Sequence, residues 1–159
     1  MRFVIVLLAI AVSVNAHADN PQIVVAVASA HDVSTETEDA ATRATNRETI
    51  REALLAAVEA SSDLSTVARP GVPARSVDLS IVSLHASECD RGVTLETELK
   101  IVISDATGKL LSVVTGRARA EVSRAVFAAR RRAVRKQLLE DAVQGLFAPL
   151  HAHLLRAAT

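Results

Sequence analysis

Between Val93 and Ile103 apolar and polar residues alternate: Val93, Leu95, Leu99, Ile101 and Ile103 point one way, Thr94, Glu96, Glu98 and Lys100 the other. A period of two fits a strand with one buried and one wet face, and it excludes a helix. Turn chemistry brackets the run. Glu88-Cys89-Asp90-Arg91-Gly92 precedes it, and Asp105-Ala106-Thr107-Gly108-Lys109 follows it, with Gly108 placed to supply a positive φ. The flanking segments also read as strands. In Ser76 to Ala86, Val77, Leu79 and Ile81 share one face, and Val82 and Leu84 take the other. After the second turn, Leu110, Val114, Ala118, Ala120 and Val122 face inward, with Thr115, Arg117, Arg119 and Glu121 outward. Three strands joined by short turns make an antiparallel meander.

Upstream, Gln22 to Ala28 is a valine-rich run suited to the interior of a sheet. His31 to Thr45 is acidic, rich in threonine, and reads as a loop. Thr45-Asn46-Arg47-Glu48 has the form of a capping box, and Ile50, Ala53, Leu54, Ala57 and Val58 then mark one face of a helix that frays near Ser61-Ser62. Ala68 to Pro73 is a breaker cluster. The last element is a long helix from about Arg124 to Leu155, its apolar stripe including Val126, Ala129, Ala133, Val134, Leu138, Ala142, Val143, Leu146, Leu150 and Leu154. Gly145 and Pro149, four apart, predict a kink or break. The order is β-α-β-β-β-α, an α+β fold with two helices on one face of a mainly antiparallel sheet. Residues 19–159 are expected to form one domain.

The N-terminus is set apart from that domain. Met1-Arg2, an apolar run from Phe3 to Val14 and the small-x-small triplet Ala16-His17-Ala18 have the parts of a cleaved signal peptide over residues 1–18. The run is shorter than the twenty or so apolar residues that a spanning helix needs. Lipid attachment requires a cysteine directly after the cleavage point, where Asp19 stands. The expected address is periplasmic or secreted, in a bacterial envelope.

Composition narrows the activity. There is no Trp or Tyr, and outside the leader the only aromatic rings besides histidine are Phe127 and Phe147, too few for the stacking platforms that sugars and single-stranded nucleic acid use. Nucleic acid is therefore not an expected partner. The single cysteine, Cys89, allows no internal disulfide, and its acidic neighbours disfavour a reactive thiolate. Charge is unevenly spread. Residues 19–66 hold nine acids and three bases, whereas residues 117–136 hold eight bases and one acid, a split that can be satisfied within one molecule or between two.

The densest functional-looking cluster is Arg130-Arg131-Arg132 with Arg135 and Lys136. At 100° per residue Arg131, Arg132, Arg135 and Lys136 share one broad helical face, opposite Val126, Ala129, Ala133 and Val134. Such a face reads as the solvated side of a packed helix or as a contact for an anionic membrane surface or an acidic protein. His151 and His153 lie about 200° apart on a helix, so they do not converge on a metal ion. His31 and Asp32 with a serine can be drawn as a hydrolytic triad, but there is no Gly-x-Ser-x-Gly elbow and no phosphate-cradling glycine loop. No catalytic, cofactor-binding or metal-binding residue is assigned, and no cofactor is expected.

The strand, the hairpin Asp105-Ala106-Thr107-Gly108-Lys109-Leu110-Leu111 and the strand that follows, over Leu99 to Val114, resemble a hairpin of bacterial envelope lipoproteins of the curli-secretion and penicillin-binding-protein-activator type. The α+β domain of those proteins also ends in an apolar helix. The resemblance implies a scaffolding or regulatory module that binds other envelope proteins, and it transfers no catalytic residue. The expected function is that of a non-catalytic envelope module acting through protein contacts. The alternatives are a peripheral binder of anionic envelope surfaces and, third, a small hydrolase.

Overall fold

In the computed structural model, which describes residues 23–35 and 39–156, five strands form one sheet in the order β2-β1-β3-β4-β5. The strands are β1 (Ile23–Asp32), β2 (Leu64–Ser65), β3 (Ala74–Cys89), β4 (Gly92–Asp105) and β5 (Leu110–Val122). The helices are α1 (Ala40–Glu59) and α2 (Arg124–Arg156). The segment read as a signal peptide lies outside the described residues.

The meander is present: β3 pairs antiparallel with β4, and β4 with β5. The sheet as a whole is mixed, because β1 runs parallel to both β2 and β3. A strand followed by a helix and a return to the same sheet comes back in the same direction, which is what α1 imposes on this half of the fold. Among the described residues β2 is two residues long, too short for any periodicity to show in sequence.

Both helices contribute to a single apolar cluster with the sheet, and they pack on each other. Ile50, Leu54 and Val58 of α1 and Leu139, Val143, Leu150 and Leu154 of α2 are wholly buried, together with Val77, Leu79, Ile81, Leu99, Ile101 and Ile103 from the strands. The wet side of β4 and β5 carries an ion-pair ladder. Arg117 Nε donates to Glu98 Oε2 at 2.8 Å, and Arg119 lies 3.4 Å from Glu96 and 2.7 Å from Glu121.

Five local expectations are corrected. β3 does not keep one phase: its register with β4 shifts between Ile81 and Ser83, so Val82 is exposed and Leu84 returns to the core at 7% exposure. That bulge is closed by Thr97, buried opposite, whose hydroxyl donates to the Ser83 carbonyl at 2.9 Å. A second shift between Ile103 and Ser104 leaves Leu110 exposed and packs Leu111 against the core instead.

The stretch read as a loop over His31 to Thr45 holds the end of β1 and the first turns of α1. The N-cap of α1 is Asp39, which accepts from Thr42 N at 2.8 Å. Thr45 is a mid-helix residue, its hydroxyl bonded back to the Ala41 carbonyl at 3.0 Å.

α2 continues through Pro149 and breaks instead at Arg130, whose φ of −135° and ψ of 29° are non-helical. A proline inside a helix costs about 3 kcal/mol. Leu146, Leu150 and Leu154 flank it on the buried face, and burying each contributes about 1.5–3 kcal/mol, enough to hold the helix together.

Finally, the apolar stripe does not run the whole length of α2. Its buried residues begin at Leu138, while Val126 is 44% exposed and Ala129 and Ala133 are exposed.

Candidate functional site

The first turns of α1 and the middle of α2 form the banks of a cleft of about 200 Å³. Asp39, Thr42, Thr45, Asn46 and Thr49 line one bank, and Arg132, Arg135 and Lys136 the other. The spacings are helical on both sides: 42, 45, 46 and 49 fall on one face of α1, and 132, 135 and 136 on one face of α2. Side-chain bonds fix the α1 bank. Asn46, 4% exposed, donates from Nδ2 to Asp32 Oδ2 at 2.9 Å. Asp32, at the end of β1, also accepts from the backbone N–H of Ser34 at 3.1 Å and from its hydroxyl at 2.5 Å. These bonds tie the strand end to α1 behind the cleft.

The electrostatics follow from these partners. The backbone N–H of Thr42 is the main cause holding the Asp39 carboxyl below its ordinary pKa, so Asp39 is an anion at the cleft edge. On the opposite bank, Lys136 sits 3.7 Å from Glu140, an exposed pair one turn apart on α2.

The four residues proposed as one interaction face are divided between two places. Arg132, Arg135 and Lys136 face the cleft. Arg131 lies with its guanidinium carbon 5.6 Å from the ring centroid of Phe127. The threonine and asparagine bank was missed because the segment was read as loop and cap. Its signal was present as a helical spacing of polar rather than apolar residues.

The other candidates are kept apart by the fold. Neighbouring residues of a strand face opposite sides of the sheet, so His31 is exposed while Asp32 is directed into the buried bonds above. His151 Nε2 approaches Asp63 at 3.5 Å, beyond the end of α1. His153 Nδ1 meets the Ser112 hydroxyl on β5 at 3.0 Å. Among the described residues no three His, Cys, Asp or Glu side chains gather as a metal site. Cys89 is half-buried at the end of β3, and its carbonyl accepts from Arg124 Nη2 at 3.2 Å. Among the described residues no helix is long and apolar enough to cross a membrane.

No family model matches the sequence, and no curated protein matches it either. Solved structures do. A Xanthomonas campestris protein of the DUF330 family superposes with a TM-score of 0.56 at 15% identity, over 87% of this chain and 90% of that one. PelC from Paraburkholderia phytofirmans, solved as a dodecamer, gives 0.52 at 12% identity, over 81% and 88%. A minor lipoprotein of Acinetobacter baumannii gives 0.52 at 12% identity, over 82% and 91%. This chain has their fold. The likeness covers more than four fifths of the chain in each case.

Proposed function

We propose that this chain is an exported, non-catalytic module of a bacterial envelope that works through protein contacts, as the curli-secretion and penicillin-binding-protein-activator lipoproteins do. The observation that carries the reading is the proximal part of α2. From Arg124 to Ala133 every residue is exposed except Phe127, which is half-buried and packs against the core, and the helix breaks at Arg130. A helical segment of this length is marginal in water without packing, since isolated helices need about 12–15 residues. Here it carries Val126, three arginines in a row and several alanines away from the core. An arm of this kind gains its stability on a partner.

The fold supports the reading, since it is shared with a protein described as a minor lipoprotein and with one solved as a dodecamer.

A photo-crosslinking side chain placed at Val126 or Ala129, in the native envelope, should give one discrete adduct. The same group at Thr115 on the wet sheet face should give none. The substitution Val126→Asp should remove the adduct formed from Ala129 while leaving the melting temperature unchanged. Equal labelling from all three sites, or none from any, would refute the proposal.

A further inference from the structure

We infer that the open edge of β1 is the seam of a closed dimer, in which two copies of this chain pair their β1 strands antiparallel about a two-fold axis. On that side the sheet is covered for only two residues. β2 pairs with Ile23 and Val24, and among the described residues no strand pairs with the outer side of β1 from there to Asp32. The phase of the backbone shows which groups are left over. The N–H of Ile23 turns out to the Asp63 carbonyl beside β2 at 3.3 Å, and that of Val24 turns in to Pro73, just before β3, at 2.9 Å. At the other end the N–H of Val33 turns in to Ile81 on β3 at 3.0 Å. Successive residues of a strand alternate, so Val27 aims its C=O and N–H outward, and Ala30 does so beyond the bulge at Ala28.

The two edges of the sheet are built differently. β5 carries Arg117, Arg119 and Glu121, whereas β1 has no charged residue and no proline from Ile23 to His31. Charge and proline are among the devices that keep an edge from pairing, and a strand without them is a template for another.

The residues at the ends of the opening select the occupant. Val33, just past the end of β1, is 61% exposed, and Val67, just past the end of β2, is 65% exposed. No other large apolar side chain among the described residues is as exposed. Most of the length of β1 separates them, roughly 20 Å at about 3.3 Å per residue, so they do not meet within one molecule. A second β1 laid antiparallel brings them together. β2 stops the incoming strand at one end, its own β2 stops it at the other, and Val33 of each copy arrives beside Val67 of its partner. A second copy supplies both contacts by symmetry. The pairing also closes, because it uses the uncharged edge of each copy and leaves the two charged β5 edges outside.

The test is sedimentation equilibrium of the purified protein, which should give twice the mass of one chain with no further growth as concentration rises. Val33→Asp Val67→Asp should sediment as a monomer with an unchanged melting temperature, since both side chains are exposed. Val33→Asp Val67→Lys should restore the dimer, because each new carboxylate then meets the new ammonium of the other copy. Ala30→Pro removes an N–H that the fold does not use and should also give a monomer. Should that variant fail to fold, the two valine double variants decide the matter. A monomeric parent at every concentration overturns the seam, as does a dimer that the two aspartates leave intact or that the aspartate–lysine combination fails to restore. A mass that keeps rising overturns the closure. The exposed arm of α2 lies elsewhere, and its crosslinking is independent of these outcomes.

Discussion

Single residues decide how closely α2 approaches the sheet. A Cβ on Gly116 of β5 would lie 2.5 Å from Leu146 Cδ2 and 2.6 Å from its Cγ, with Leu146 itself 3% exposed. The branch point of a packed leucine has little room to give. Gly116→Ala is therefore expected to destabilise by about 1–3 kcal/mol, the cost of overpacking. In the Leu146→Ala background the same substitution should cost much less, and denaturant melts of the four-member cycle measure that coupling. No local pattern marks Gly116, because its constraint comes from a residue thirty positions away. Gly108 is the opposite case: its φ of 84° belongs to the hairpin, where local turn chemistry exposes it to a sequence reading.

Two aspartates organise local backbone in the same way. Asp105 Oδ1 accepts from the hydroxyl of Thr107 at 2.6 Å and from the N–H groups of Thr107 and Lys109 at 2.8 and 3.0 Å, and Asp39 caps α1. The Thr107 hydroxyl, first, and these N–H groups pull the Asp105 carboxyl below its ordinary value of about 3.8, as the Thr42 N–H does for Asp39. A depressed folded-state value means that each group's contribution is fully present above the unfolded pKa, and is lost as pH falls through the lower folded value. Stability should therefore decline on acidification below about pH 4. The Asp39→Asn Asp105→Asn variant should show a shallower decline across that range when unfolding is followed at several pH values.

At the scale of elements, α2 is two structures in one. From Leu138 onward it is part of the core, and before Arg130 it is an exposed arm that touches the core through Phe127. The helix and its length were readable from 3.6-residue spacing, but the spacing continues through Val126, Ala129 and Ala133 whether or not anything lies beneath them. Periodicity records which side chains share a face, not whether that face is covered. Conversely, the bulges at Val82 and Leu111 shift the phase of strands whose alternation had been readable. Their causes are cross-strand: for Val82, the partner is Thr97 on β4. Two measurements separate the parts of α2. Val126→Asp should change stability by no more than about 0.5 kcal/mol, as surface substitutions do, whereas Leu139→Ala should cost about 2–5 kcal/mol. Amide hydrogen exchange should be fast across residues 126–130 and slow across 139–146. Uniform protection along the helix would show that the arm is packed.

For the whole molecule, the antiparallel half was legible because it rests on contacts between sequence neighbours, and the two helices because each carries its own 3.6-residue apolar spacing. The parallel half was not, because β1 meets β3 only across α1 and the breaker loop, and β2 is too brief to leave a pattern. The candidate cleft has the same origin: its banks lie roughly ninety residues apart, and only the basic bank stood out. The sheet that results has β5 at one end, with a thirteen-residue edge. A long edge strand invites pairing with another copy unless something opposes it. Here Arg117 and Arg119, with side chains 82% and 59% exposed, project from that strand. Their pairs with Glu98, Glu96 and Glu121 are exposed and each worth at most about 1 kcal/mol, too little to explain them as stability devices. Charge that keeps an edge from pairing is the better account. Replacing both arginines with valine should alter stability by less than about 2 kcal/mol, since three weak pairs are lost and valine, which favours strands, offsets part of that. It should also produce concentration-dependent association, read as a rising sedimentation coefficient, that the parent does not show at the same concentrations. If the double variant sediments as the parent does, some other feature protects the β5 edge.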